Sequence, residues 1–465
     1  MKNALFLFVL IVVSSISLNA QKHFGSLNEE AISEIQKSFQ DTPENRAMVN
    51  AVSHNDIKGL AKNRENDSKQ NHFFSHEVKT KGISNQKSSG RCWLYTGLNT
   101  LKPMVQEKYE LNDFEFSHTY NFFWDQFEKA NLFLTLAYST GHLPMTDKKV
   151  EWLFKSPIGD GGQWTTFADI VSKYGLVPAT AMPDSYQSEK TATMSRLIKR
   201  KLREQGLEMR GMSSMRMHTG HVEKAKVKML EEIYRILVLS LGEPPMEFEW
   251  QFKNNDGELS EIKKYTPKQF YTEIIGVDLN EYVMLMDDPR NEYQKLFEVE
   301  YDRNLVEGAN WKYINLPADQ IKEYAKKSIL ANEAMYFSCD VGKQLDVKTG
   351  TLDINNYSYE DLLGVEFKMD KKQRIETFES GSTHGMALVG VNILANGEID
   401  KWKLENSWGV EKGNKGYLTM TDEWFNEYMF RLVINKKHLS EETLKLLDQK
   451  AELLPPWDPM FAAEK

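Results

Sequence analysis

Gln86-Lys87-Ser88-Ser89-Gly90-Arg91-Cys92-Trp93 is the stretch on which the reading of this chain turns. A cysteine stands where an apolar helical pattern begins: Trp93, Leu94, Leu98, Leu101 and Met104 recur at the spacing of one helix face, with Pro103 a local irregularity. Cys92 is therefore expected in the first turn of a core helix. There the unpaired backbone N–H groups and the positive end of the helix dipole favour thiolate over thiol, and the thiolate is the nucleophile.

A thiolate needs a proton acceptor, and two downstream stretches supply candidates. Thr383-His384-Gly385 precedes an alternating apolar run, and Glu405-Asn406-Ser407-Trp408-Gly409 follows it. His384 would form the thiolate/imidazolium pair and later return the proton to a leaving amine. Asn406 would hold the other ring nitrogen in the productive tautomer without adding a full negative charge. Trp408 would cover that hydrogen bond from water. The attacked carbonyl oxygen becomes anionic, so donors must already face it: the Gln86 side-chain amide and the Cys92 backbone N–H are placed to do so. A lone cysteine is usually buried filler. It is the joint occurrence in this order that reads as a Cys/His/Asn acyl-transfer site.

Outward from that site the chain divides by pattern. A second aromatic-rich helix is expected over 117–134, with Tyr120, Phe123, Trp124 and Phe127 packing on one face. Gly159-Asp160-Gly161-Gly162-Gln163-Trp164 reads as a tight turn into a helix over 165–174, stopped by Gly175 and Pro178. Residues 190–324 are charged and helix-prone, amphipathic over 194–203 and 222–241, then mixed, with short aromatic strands such as 265–275. From Ala334 the period becomes two, as in Met335, Phe337 and Cys339, which predicts an antiparallel sheet or barrel half. Polar residues 25–75 are expected to wrap the surface, with helix starts near Asn28 and Asp56.

The chain has 465 residues, 41% hydrophobic and 27% charged, with net charge −9. That length exceeds the usual single core, and the charge argues against general affinity for nucleic acid or anionic membranes. Lys2, an apolar run over 4–16 and Ala20 before Gln21 have the layout of a cleavable secretory signal, too short for a comfortable membrane span. This predicts an exported, periplasmic or extracellular protein with no stable membrane insertion after cleavage. Export usually brings disulfides, yet the chain has only two cysteines. With Cys92 as nucleophile no bridge is expected, and Cys339 reads as a small apolar residue in a buried strand.

These residues resemble the papain-like cysteine peptidases, and within them the bleomycin hydrolase and aminopeptidase C group. Gln-x-x-Ser-Gly-Arg-Cys-Trp is that group's version of the nucleophile motif. Ser89 stands where the simpler enzymes carry a second cysteine. His384 lies much further downstream than the roughly 130–150 residues usual in those enzymes, the excess being the proposed insertion. Further stretches over 116–131, 160–164, 277–290, 339–343 and 455–460 also look like the group.

The resemblance implies an α+β papain-like fold, a helical half plus an antiparallel β-barrel half, with a large, mainly helical insertion. Its segments would be a signal (1–20), a surface-wrapping stretch (21–75), the helical half with the nucleophile (76–190), an oligomerising insertion (191–330), the β half with His and Asn (331–440) and a tail reaching the cleft (441–465). By resemblance the catalytic residues are Cys92, His384 and Asn406, with Gln86 in the oxyanion hole and Trp408 in support. It further implies a homohexamer acting on peptides as an aminopeptidase, with no cofactor. The terminal carboxylate at Lys465 would anchor the substrate ammonium. The ending Phe461-Ala462-Ala463-Glu464-Lys465 departs from the group's usual small-residue end.

Two rival readings are weaker. Arg196, Lys199, Arg200, Lys201, Arg203, Arg210, Arg216, Lys224, Lys226 and Lys228 could line a nucleic-acid channel, but stacking aromatics are absent there and a solvated helix face explains them. A catalytically silent relative is opposed by the filled positions at 86, 92, 384 and 406. His218 and His221 share a helix face, but no carboxylate or cysteine completes a metal site, so no metal is expected.

Overall fold

The computed structural model describes residues 25–67 and 71–461, so the signal reading of 1–20 and the anchoring role of Lys465 lie outside the described residues. The chain forms two compact units, one up to Ala61 and one from Lys62 onward. In the first, α1 (Glu29–Ser38) starts where Asn28 accepts the Ala31 N–H, and α2 (Pro43–His54) starts where Thr42 accepts the Asn45 N–H. Pro43 suits that first turn because its ring presets φ and the missing N–H would have had no helical acceptor. A short helix, Ile57–Leu60, begins at Asp56, so both anticipated helix starts are found. The boundary falls earlier than the expected 75. Lys62 bridges to Tyr357 and pairs with Asp346, and Asn66 donates to Asn356, which ties this stretch into the larger unit.

The larger unit is α+β. Its helical side holds α3 (Cys92–Lys108), α4 (His118–Ser139), α5 (Trp164–Tyr174), α6 (Ala192–Ser214) and α7 (Thr219–Leu241). Ser117 caps α4 by accepting the Tyr120 N–H, and Gln163 with Thr166 forms a capping box on α5. Gly175 ends α5 at φ +80°, hard against the Pro267 backbone, where any side chain would overlap. Residues 191–241 run further as helix than their clearest amphipathic stretches. Met194, Ile198, Leu202, Ile233 and Leu237 join the same core as Trp93, Leu98 and Phe133. The insertion helices therefore extend the core of the nucleophile's half.

The aromatic face of α4 packs as expected, with Trp124 stacked on Tyr174 and Phe123 and Phe127 set edge-on to Tyr234. The anticipated strand over 265–275 is corrected. Only Lys263–Tyr265 is strand, after which Pro267–Phe270 and the π-helical turn Tyr271–Ile275 follow. Thr266 and Gln269 form a capping box and Pro267 occupies the first turn, signals that outweigh the aromatic β preference.

A twelve-stranded sheet forms the other side. It comprises β1 (His76–Glu77), then β4 (Tyr282–Met286), β5 (Lys295–Val299), β6 (Lys312–Asn315) and β7 (Met335–Cys339). It continues through β8 (Leu345–Asp346), β9 (Thr351–Leu352), β10 (His384–Ile393), β11 (Ile399–Glu405), β12 (Tyr417–Thr421), β13 (Met429–Asn435) and β14 (Glu452–Leu454). The order is β14-β5-β6-β4-β13-β7-β10-β11-β12-β9-β8, with β1 on β10; β2 (Phe248–Trp250) and β3 (Lys263–Tyr265) pair separately. The sheet is mixed where an antiparallel one was expected, since β4–β6, β9–β12 and β5–β14 run parallel. Strands β4 to β6 come from the segment read as insertion. A second core, with Phe337, Leu388, Trp402 and Trp424, fills this side. No helix among the described residues is long and apolar enough to cross a membrane.

Candidate active site

Cys92 opens α3 with 8% exposure, so its turn is packed yet reachable. Arg91 at the cap position makes no side-chain cap bond, and its carbonyl accepts the Leu94 and Tyr95 N–H groups. One turn on, Thr96 donates to the Cys92 carbonyl at 2.8 Å. A Cβ added to Gly385 would lie 3.0 Å from the Thr96 hydroxyl, so glycine beside His384 lets β10 come down directly on the nucleophile's turn.

His384, the first residue of β10, is buried and pairs in register with Cys339 of β7. Its Nε2 lies 2.8 Å from Asn406 Oδ1. The same oxygen accepts the Ser407 backbone N–H at 2.8 Å, which fixes the orientation of the amide. An oxygen has no proton to give, so Nε2 carries the hydrogen and Nδ1 is left bare as the proton acceptor. Trp408 stacks on the imidazole with centroids 4.9 Å apart and planes 29° apart, covering the bond as anticipated. Burial lowers the imidazole pKa to about 4, with the Asn406 bond opposing it in part. An isolated imidazolium is thus disfavoured here, and the charged ring becomes affordable only with a thiolate beside it.

The segment before the nucleophile is zipped to the Asn406 loop. Gln86 N–H donates to the Ser407 carbonyl at 2.8 Å, Asn85 bridges Trp408, and Gly409 N–H donates to Ser84 O. The Gln86 amide is also fixed: Ser407 Oγ donates to Oε1 at 2.6 Å, and Nε2 donates to Ser89 O at 2.8 Å. The amide nitrogen carries a second N–H besides the one given to Ser89 O. Ser407, which had no assigned role, thus serves Asn406 through its N–H and Gln86 through its hydroxyl. Its place between Asn406 and Trp408 was the available signal.

The glycine-rich turn at 159–164 is part of this support. Trp93 Nε1 donates to Asp160 O at 2.6 Å, and the Asp160 carboxylate accepts from Gly90 N–H, Ser195 Oγ and Thr191 Oγ1. Gly162 lies against the Trp93 indole, where a Cβ would come within 2.7 Å. A buried ion pair that leaves no mark in the sequence adds to this support: Lys102 of α3 meets Glu405, the residue before Asn406, at 3.2 Å and Glu115 at 3.3 Å. It joins α3 to β11, the strand that leads into Asn406.

Neither cysteine forms a disulfide. Cys339 is fully buried in β7, and burial raises its thiol pKa well above the ordinary value, as expected of a packing residue. In the basic stretch, Arg203 donates to Phe154 O and Lys155 O, Arg210 to Thr140 O and Leu143 O, and Lys201 pairs with Glu204 and Glu232. Among the described residues no group of His, Cys, Asp and Glu is arranged to hold a metal.

After β14, Asp458 pairs with Arg290 at 2.8 Å, Arg431 donates to Met460 O, and Phe461 packs edge-on to Trp311. Pro459 O lies 4.0 Å from the Cβ position of Gly381, just before His384.

Comparison with known proteins matches this architecture. The model of the Peptidase C1-like family matches residues 26–461. Aminopeptidase C of Listeria monocytogenes is 37% identical over 436 residues, covering 93% of this chain and 98% of that protein. Human bleomycin hydrolase is 37% identical over 449 residues, covering 94% and 99%. The crystal structure of PepW from Lactobacillus rhamnosis superposes with a TM-score of 0.91 at 36% identity, covering 94% of this chain and 99% of that one. With a match along nearly its whole length and a thiol, imidazole and amide carried on the elements described, the chain belongs to the Peptidase C1-like family.

Proposed function

We infer that the protein is a cysteine-type aminopeptidase, releasing N-terminal residues from peptides through an acyl-enzyme. The observation that carries the chemistry is the pair of hydrogen bonds into Asn406 Oδ1, which leaves His384 Nδ1 as the base. In this reading the Cys92 proton passes to Nδ1. The imidazolium then donates through Nε2 to Asn406 and through Nδ1 to the thiolate. The thiolate attacks the peptide carbonyl, and the oxyanion is met by the free Gln86 N–H and the Cys92 backbone N–H. Collapse expels the amine, which takes the Nδ1 proton, and leaves a thioester. Water then gives a proton to Nδ1 and attacks the thioester, restoring the thiol after the acid departs.

Restriction to N-termini rests on the tail. Its last described residues lie near Gly381, which stands just before His384 in the chain. A carboxylate there would pair with the substrate ammonium, and water exclusion would strengthen that pairing. The test compares peptides with free and acetylated N-termini, using full-length enzyme and a form ending at Phe461. Full-length enzyme should cleave only the free ends, and the shortened form should gain activity on the acetylated ones. Cleavage of acetylated peptides by the full-length form sinks this reading. Cys92→Ala should remove all turnover.

Family resemblance supports a homohexamer, which light scattering of the purified chain would test. The leader pattern supports export, and a mature N-terminus at Gln21 would bear this out. The basic stretch is read as structural because Arg203 and Arg210 already spend donors on carbonyls within the chain.

A further inference from the structure

Arg91, inside the nucleophile motif, has no part in the scheme above, yet it is completely buried. Its guanidinium is the centre of a relay into the loop before Cys92. Nε donates to Ser89 Oγ at 3.0 Å, and Ser89 Oγ donates onward to Gln86 O at 2.6 Å. Nη2 donates to Tyr95 OH at 3.3 Å, and Tyr95 OH donates to Asn85 O at 3.4 Å. The two branches end on successive carbonyls, those of residues 85 and 86. The Ser89 branch also holds the residue whose carbonyl accepts the Gln86 amide. On the far side Nη1 faces Asp184 at 3.6 Å, and the cation lies over the Tyr95 and Phe122 rings. Asp184 is itself held by Thr119 at 2.6 Å and Ser188 at 3.1 Å, so the anchor is attached to α4 and to the 185–189 turn.

A buried charge with this partner set is costly unless geometry repays it. The planar fork of arginine reaches two separate acceptors in fixed directions, which a lysine ammonium cannot copy. We propose that Arg91 is a positioning residue for the oxyanion hole: through Ser89 and Tyr95 it sets the backbone of 85–86 so that the second Gln86 N–H points at the developing oxyanion. The inference rests on the oxyanion role read for Gln86.

Hydrolysis needs that donor, whereas alkylation of the thiolate by iodoacetamide forms no oxyanion. The experiment measures both on wild type, Ser89→Ala, Arg91→Lys, Gln86→Ala and the double variants with Gln86→Ala. Ser89→Ala breaks the Ser89 branch while keeping the guanidinium with its Asp184 and Tyr95 partners, so it serves even where Arg91→Lys does not fold. Both relay variants should lower kcat about tenfold with KM little changed and with the pH profile of alkylation unmoved. In the Gln86→Ala background they should cost nothing further. Parallel loss of alkylation, undiminished kcat in Ser89→Ala, or a full further loss in the Gln86→Ala background would each overturn the proposal. Gln86→Ala alone separates the two readings. If it leaves kcat intact, the oxyanion role fails; if it slows hydrolysis while Ser89→Ala does not, only the positioning role fails.

Discussion

Asn406 Oδ1 serves two donors, Ser407 N–H and His384 Nε2, so one oxygen holds both the loop after β11 and the imidazole, the base of the proposed mechanism. Asn406→Ala should lower kcat by up to about a hundredfold, within the range of general acid–base catalysis, with little change in KM. Initial rates on an amino-acid amide check this. The same burial has a consequence for stability. Unfolded, His384 takes up its proton near 6.5; folded, it does so only near 4. Between these values the unfolded chain binds more protons, so the contribution is complete above pH 6.5 and is lost as pH falls toward 4. His118, stacked on Tyr95 with centroids 3.5 Å apart, is shifted in the same direction by burial and then by Arg91. Urea midpoints should fall across that window, and His118→Phe should shrink the fall. A midpoint independent of pH there would contradict both assignments.

At the level of elements, close approach matters as much as polarity. Gly97 on α3 faces α5 so tightly that a Cβ would lie 2.7 Å from the Phe167 ring. Gly97→Ala should therefore cost about 1–3 kcal/mol by overpacking, read from urea unfolding, despite alanine's better helix propensity. This contact also shows what was readable beforehand. The periodic apolar faces of α3, α4 and α5 stand out in the sequence because each helix must turn a stripe inward. The partner that makes Gly97 necessary is seventy positions away and leaves no local mark. The 265–275 segment differs from expectation for a related reason: its aromatics favour strand, while Thr266, Pro267 and Gln269 form a helix start that prevails.

Across the molecule, the site was legible because chemistry demands particular residue types beside one another: Gln86 and Cys92 in one motif, His384 before a strand, and Asn406 with Trp408. The supports were not. Lys102 lies in a helix and would ordinarily face water, but here it is buried between Glu115 and Glu405, linking the helical side to the sheet. Removing one partner of a buried pair leaves the other charge uncompensated, so Lys102→Met should cost about 3–5 kcal/mol. Because Lys102 and Glu405 are shielded from solvent, that loss should change little between low and high salt in denaturation experiments.

The distribution of the site along the chain bears on biosynthesis. The thiol emerges early, on α3, whereas its base and the asparagine that orients it belong to β10 and the loop after β11. Ser407, which locks both Asn406 and Gln86, comes later still than the base. A growing chain that has passed Cys92 therefore carries an ordinary thiol in a helix, without proton acceptor or locked oxyanion donor. The set of Cys92, His384, Asn406 and Ser407 is therefore complete only once synthesis has passed Ser407, so a copy that stops before that point lacks part of the candidate site.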